Sequence, residues 1–269
     1  MRTHSFFPAL AIVIAGSASA STEFYAKAFS YDLDTGILLS DEKVDAKPFI
    51  LKHLNADGVG TVNLSAVNGG KVDITSVGTD IFHNSRGSIS YSFTIIGLAL
   101  PTGHYLPGRI LGHLESDATG SGNAGANMAL TSQNCTYGCK GWGVDSWPEA
   151  PPSRGYVNGF ESLDIDDQFN FVPNVIYNLN LSGYAYVNRR SMYDETGLDY
   201  DVPHAGWSHA MVDPSITFAP EFAGLYRISG GLLDQPLPGV PESSTWALLL
   251  SGLIVVGSRL RRQRQEVGG

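Results

Sequence analysis

The chain has 269 residues, with Lys+Arg 17 against Asp+Glu 26 and a formal net charge of -9 at pH 7. Between residues 21 and 241 there are 12 basic and 24 acidic side chains, which argues against a nucleic-acid partner, whose phosphates need a basic face, and against adhesion to anionic lipid through charge. Gly 31 and Pro 14 are enriched but fall short of low-complexity disorder, so one turn-rich domain with a sizeable core is expected.

The start of the chain reads as a secretory signal peptide over residues 1–20. Arg2 supplies the positive charge, residues 6–15 form an apolar core, and Ala18-Ser19-Ala20 is a small-x-small site, predicting cleavage before Ser21. The run is too short, and its end too rich in small residues, for a membrane anchor.

The body over 21–229 is predicted to be all-β. Residues 23–31 alternate in part, with Phe24, Tyr25 and Phe29 as aromatics, and 47–53 is a short apolar run. Val62, Leu64 and Ala66 alternate, Asn68-Gly69-Gly70 turns the chain, and Val72, Ile74 and Ser76 continue the alternation. Asn-Gly between two such runs signals a hairpin. Ile89, Tyr91, Phe93 and Ile95 share one face of a run over 88–100, and 105–114 is a shorter run broken by Pro107. From 115 to 154 the chain is rich in Gly, Ser, Asn and Pro and loses its period, so a long loop is expected over about 115–155. A loop of that length needs local pinning. Cys135 and Cys139, the only cysteines, are expected to form a disulfide in the oxidising compartment that the signal peptide implies; a two-cysteine zinc site lacks further ligands nearby.

Strands resume at 156–160 and 169–172. A strand pair is expected over 175–187, with Ile176, Asn178 and Asn180 followed by Tyr184 and Tyr186. A polar, aromatic-bearing loop is expected over 191–209, and short runs at 215–219 and 225–229 close the domain. Residues 230–239 read as a linker. There is no helical period in the body and no fixed repeat.

Chemistry is sparse. Residues 120–125 spell G-x-G-x-x-G, but a dinucleotide site needs a strand before it and a helix after it, and the surroundings read as loop. There is no G-x-S-x-G elbow and no H-E-x-x-H. No cofactor is called for, although calcium is compatible with clustered carboxylates: Asp164, Asp166 and Asp167 lie in one short segment, and closely spaced carboxylates on a loop can supply several of its oxygens. A solvated acidic loop is the simpler reading of the same residues. Trp142, Trp147 and Trp207, with Tyr156, Tyr193 and Tyr200, fall in the expected loops. Aromatic faces suit sugar rings, and aromatics also anchor long loops to a core edge.

The C-terminal 30 residues are the most specific stretch. A polar motif, Val240-Pro241-Glu242-Ser243-Ser244-Thr245, precedes an uncharged apolar run from Trp246 to Ser258 and a basic cluster of Arg259, Arg261, Arg262 and Arg264. A helix over 244–260 would rise about 25 Å, short of the roughly 30 Å bilayer core, with snorkelling arginines making up the difference. Arginines at that end favour the cytoplasmic side and place the body outside.

This layout resembles the PEP-CTERM sorting signal of exported bacterial proteins, also called the ice-binding protein C-terminal domain. The match is Pro241, Glu242, Ser244, Thr245 and the Trp246-Ala247-Leu248 helix start, with Ser243 where the family has proline. The resemblance covers residues 240–264 and implies recognition by an exosortase and removal of the tail. A looser similarity to the bodies of such proteins covers residues 169–173 with 177–179, read as a strand pair, and residues 212–220.

The expectation is therefore an all-β, two-sheet antiparallel sandwich, jelly-roll-like, with one C-terminal transmembrane helix. It is an exported, exosortase-sorted surface or extracellular-matrix protein with a non-catalytic body, tethered to the inner membrane and then released. Two alternatives remain beside it: a body that binds polysaccharide or calcium, and a secreted hydrolase.

Overall fold

Fifteen strands and no α-helix are found among the described residues. The structure is a computed structural model that describes residues 21–233, apart from 33–34, 56, 80–81, 98–99, 101–103, 133–134, 137, 147–158, 188–190, 194–198, 202–204 and 223–224. The expected signal peptide, the sorting motif from Val240 to Thr245, the apolar helix over 244–260, the four arginines and Trp147 lie outside the described residues. Within them, no helix is long and apolar enough to cross a membrane.

One sheet runs in the spatial order β2 (Leu38–Asp45), β1 (Glu23–Tyr31), β6 (Phe82–Gly97), β11 (Ile176–Val187), β8 (Gly122–Ser132) and β9 (Cys139–Ser146), with β15 (Tyr226–Ser229) as a seventh strand on β6. The second runs β10 (Gly159–Phe171), β7 (Leu106–Gly120), β14 (Gly206–Phe218), β5 (Lys71–Gly78), β4 (Gly58–Ser65) and β3 (Phe49–Asn55). A small separate ribbon pairs β12 (Ser191–Tyr193) with β13 (Asp199–Asp201). The neighbours in all three sheets are antiparallel.

The period of two decides which face is buried. In β6, Ile89, Tyr91, Phe93 and Ile95 turn inward and are nearly fully buried, while Ser88, Ser90, Ser92 and Thr94 turn outward. In β11, Tyr177, Leu179, Leu181 and Ala185 turn inward in the same way. The opposite sheet answers with Val62, Leu64, Val72, Ile74, Ile110, Leu114 and Val212, all buried. At one end the rings of Phe93, Phe169, Phe171, Tyr177 and Phe218 interlock, with centroids 4.7 Å apart for Phe169 and Phe171 and 5.3 Å for Phe171 and Tyr177. Truncating Phe171 to alanine there removes about 3–5 kcal/mol of stability.

Several expectations are corrected. The segment 115–146 is not a loop: it completes β7 and forms β8 and β9. Gly120, Ser121 and Gly122 are the corner where the chain leaves the six-stranded sheet for the seven-stranded one. A Cβ on Gly120 would lie 2.2 Å from the Ala205 carbonyl oxygen, and one on Gly122 would lie 2.2 Å from that of Trp207. The first two glycines of the G-x-G-x-x-G string thus serve backbone packing at the corner, and the third, Gly125, lies within β8. Residues 176–187 are one strand and not a strand pair. β10 and β11, which hold the Phe169-to-Tyr177 similarity, do not pair; they lie in opposite sheets and meet through the aromatic cluster. Asn174 makes the turn between them at φ 63, a left-handed conformation that asparagine tolerates. The expected loop over 191–209 instead holds β12, β13 and the first turns of β14. The hairpin at Asn68-Gly69 is present: β4 pairs with β5 across a short 3-10 turn at Val67–Gly69.

Candidate functional site

Three constellations of polar and aromatic side chains stand out, and they differ in what they leave open to a ligand.

The first is internal. Ser30 Oγ lies 3.0 Å from His53 Nε2, and His53 Nδ1 lies 2.7 Å from Asp41 Oδ2. An Nδ1–H donated to Asp41 leaves Nε2 to accept the Ser30 hydroxyl, the same order as a serine-hydrolase triad. The exposure is inverted, however. Ser30 is 0% exposed and His53 3% exposed, while the Asp41 side chain is 54% exposed. The hydroxyl that would attack a substrate points into the sandwich, where Asn55 Nδ2 also donates to it at 3.1 Å. The arrangement fastens the edge strands β2 and β3 to β1. His83 packs beside it, 5.3 Å from His53 between ring centroids. Burial, reinforced by the charge of His53, pulls the His83 pKa down to about 4.

The second lies on the outer face of the six-stranded sheet. Asp73 accepts from His209 Nε2 at 3.1 Å, His209 and His113 both flank Glu115, and His113 Nδ1 donates to Asp164 at 2.7 Å. The hydrogen bond to Asp73 raises the pKa of His209, and the one to Asp164 raises that of His113. Donation from His209 in turn lowers that of Asp73. This chain satisfies its own charges.

The carboxylates expected as a calcium set belong to the same region, and the structure separates them. Asp164, Asp166 and Asp167 lie on strand β10 and not on a loop. Asp164 meets His113, Asp166 takes the guanidinium of Arg109, and Asp167 accepts from Lys140 at 3.1 Å and from Trp142 Nε1 at 2.8 Å. Strand alternation turns Asp167 to the face opposite Asp166, so the three do not converge. Among the described residues no group of three or more His, Cys, Asp or Glu is placed to hold a metal ion. The two described tryptophans also stay apart. Trp142 is half-buried on β9 and packs against the core. Trp207 is half-buried on the outer face of β14, stacked on His209 with centroids 5.9 Å apart, in one cross-strand row with Val77, Val59 and Leu54. Cys135 and Cys139 are joined by a disulfide, with Cα atoms 5.2 Å apart.

The third constellation covers the outer face of the seven-stranded sheet, and it is open. Outward positions of β1, β6 and β11 carry a band of rings: Phe29 and Phe82 at 5.6 Å, Phe82 and Tyr186 at 6.1 Å, and Tyr186 and Tyr184 at 6.0 Å and nearly parallel. Beside the band lies a field of neutral donors and acceptors. Ser88, Ser90 and Ser92 of β6 stand directly opposite Ser182, Asn180 and Asn178 of β11. Ser92 Oγ donates to Asn178 Oδ1 at 2.6 Å, and Asn180 Nδ2 donates to Ser90 Oγ at 2.9 Å.

Where band and field meet, a shallow pocket of about 240 Å³ is lined by Tyr25, Arg86, Ser88, Asn127, Ser182 and Tyr184 over the backbone of Gly87 and Gly183. The two glycines are cross-strand partners that face inward. A Cβ on Gly87 would stand 2.5 Å from Val62 Cγ1, and one on Gly183 would stand 3.2 Å from Ile74 Cδ1. The opposite sheet therefore rises against bare backbone under the pocket floor. Two further glycines shape the rim: Tyr184 lies over Gly125 and Asn127 over Gly143, where a Cβ would come within 2.6 Å of the ring and 2.4 Å of the amide oxygen. Tyr184 Oη donates to Asp145 Oδ1 at 2.9 Å, and burial together with that bond raises the Tyr184 pKa, keeping the phenol neutral. These residues were not singled out as a site from the sequence. The available signal was parity: in β11 the two tyrosines fall in step with Asn178, Asn180 and Ser182, and out of step with Leu179 and Leu181.

No protein-family model matches the chain, and no curated protein matches it.

Proposed function

We propose that the chain is an exported surface protein whose body binds polysaccharide without catalysis, through the outer face of its seven-stranded sheet. The observation that carries this reading is the band of Phe29, Phe82, Tyr186 and Tyr184 beside the Ser/Asn field, with a pocket at their junction. Sugar rings have an apolar face that stacks on an aromatic ring and equatorial hydroxyls that exchange hydrogen bonds with hydroxyl and amide side chains. A face spanning several strands suits an extended polymer better than a small molecule. The inverted exposure of Ser30, His53 and Asp41 favours binding over hydrolysis. Delivery belongs to the same proposal: a signal peptide over 1–20, a sorting motif at Val240 to Thr245, a transmembrane helix over about 244–260, and an exosortase as processing partner.

The test is retention of the mature exported protein on a panel of immobilised neutral and acidic polysaccharides, compared with Tyr184→Ala and Tyr25→Ala. Binding to at least one polymer, weakened about tenfold by loss of either ring, is the expected result. No retention on any polymer would leave only a structural surface role. Retention that both variants keep would move the site off this face.

A further inference from the structure

Arg86 lines the pocket, and its state of pairing differs from that of Lys27 beside it. Lys27, its cross-strand neighbour on β1, is tied to Glu42 at 2.8 Å. Elsewhere Lys43 meets Asp45, Lys71 meets Asp73, Arg109 meets Asp166 and Lys140 meets Asp167. Arg86 is exposed, lines the pocket, and has no carboxylate within ion-pair distance among the described residues. Lys47, Lys52 and Arg227 are also outside ion-pair distance of a described carboxylate, but of these four cations only Arg86 lines the pocket, where its charge adds to the hydrogen bond from Lys27 in holding Glu42 below the usual carboxylate range.

We propose that this pocket takes a carboxylate-bearing sugar of an acidic polysaccharide, with the carboxylate held by Arg86. The proposal rests on the polysaccharide reading above and narrows it to a ligand class. A guanidinium presents a planar fork that matches a carboxylate with two parallel hydrogen bonds. Tyr25 and Tyr184 flank it with ring surface, and Ser88, Ser182 and Asn127 supply hydroxyl and amide partners for the sugar. Three carboxylates lie on this face by strand parity: Glu23 stands opposite Ser90, four rungs along β6 from Arg86, and the other two are already engaged. Glu42 is held by Lys27, and Asp145 accepts from Tyr184. By register Asp145 lies three strands from Arg86, and its carboxylate reaches back over Gly125 to the Tyr184 hydroxyl.

The experiment compares affinity of the mature exported protein for polygalacturonate and for the same polymer after carboxyl reduction, at low and physiological salt. Tighter binding of the carboxylated polymer, by about five- to tenfold and falling with salt, is expected. Arg86→Gln should remove the preference for the carboxylated polymer, lowering affinity for it far more than for the reduced polymer, and Arg86→Lys should restore only part of the difference. Circular dichroism of both variants should match the parent, since the side chain is exposed. Equal affinity of the unaltered protein for both polymers would overturn the carboxylate assignment and leave the sugar-binding face standing. A preference for the carboxylated polymer that survives Arg86→Gln would place the anion elsewhere. Binding to neither polymer would overturn the assignment to this acidic sugar, and the wider panel would then decide whether the face binds sugar at all.

Discussion

Tyr184 lies over Gly125 on the neighbouring strand, and the absence of a side chain at Gly125 is what lets it do so. A Cβ there would stand 2.6 Å from Tyr184 Cε1 and 2.2 Å from Asp145 Oδ1. Gly125→Ala is therefore expected to lift the ring, break its bond to Asp145 and lower polymer affinity about as much as Tyr184→Ala. The core is not touched, so stability should fall by no more than about 1–2 kcal/mol. Parallel binding isotherms and denaturant melts of both variants check this. Unchanged affinity in Gly125→Ala would mean that the ring position is unimportant.

The buried and surface histidines give stability opposite dependences on pH. His83 has its pKa pulled from 6.5 to about 4 in the fold, so between those values the unfolded chain binds more protons. Its contribution is complete above pH 6.5 and is lost as pH falls toward 4, on the order of 3 kcal/mol. His209 has a raised pKa, so its contribution is present below 6.5 and is lost as pH rises through the folded value. Urea melts from pH 4 to 9 should show stability declining on both sides of a maximum near neutrality. His209→Gln should reduce the alkaline decline without abolishing it, because His113 also has a raised pKa.

The Cys135–Cys139 bond closes a loop with a sequence separation of only 4. Chain-entropy reasoning limits its effect to about 2 kcal/mol. Reduction is therefore expected to lower the melting temperature by a few degrees and leave β-sheet circular dichroism intact. Global unfolding on addition of reductant would show that the bond orders far more than its own turn.

The sorting proposal makes its own prediction. Replacing Pro241 and Glu242 with alanine should leave membrane insertion intact, because neither lies in the apolar run, and block processing, because the resemblance assigns recognition to that motif. Replacing Arg259, Arg261, Arg262 and Arg264 with glutamine should misplace the tail by removing the charges that favour the cytoplasmic side. Mass spectrometry of surface material reads the outcome. A C-terminus still at Gly269 on all of it would exclude cleavage and leave a permanent anchor.

The two-sheet β architecture was legible because most strands bury one face. Ile89, Tyr91, Phe93 and Ile95 announce β6 by alternation alone. β8 was missed for the opposite reason. Asn123 and Gly125 point outward yet are buried, on the rungs of Tyr186 and Tyr184, so the first half of the strand shows no polar face to set the period. β2 was missed because seven of its eight residues are exposed: an edge strand covered on neither face carries no pattern, and its charges serve to discourage further pairing. The candidate site was less legible than the fold. Tryptophans in apparent loops drew attention to Trp142 and Trp207, whereas tyrosines inside a strand read as core unless their parity is compared with that of the leucines beside them.

β15 and β1 both add to the same edge of β6: Ser229 pairs with Thr94, and Glu23 pairs with Ser90. The two ends of the body therefore meet head to tail along a single strand, only a few rungs apart. A body held by its C-terminal end is also held close to its first strand, and tension on a tether reaches the four-residue β15 before it reaches the long β6–β11 ladder. Under the two proposals above, the four-residue β15 would lie next to the tether and yield under shear while the β6–β11 ladder keeps its shape.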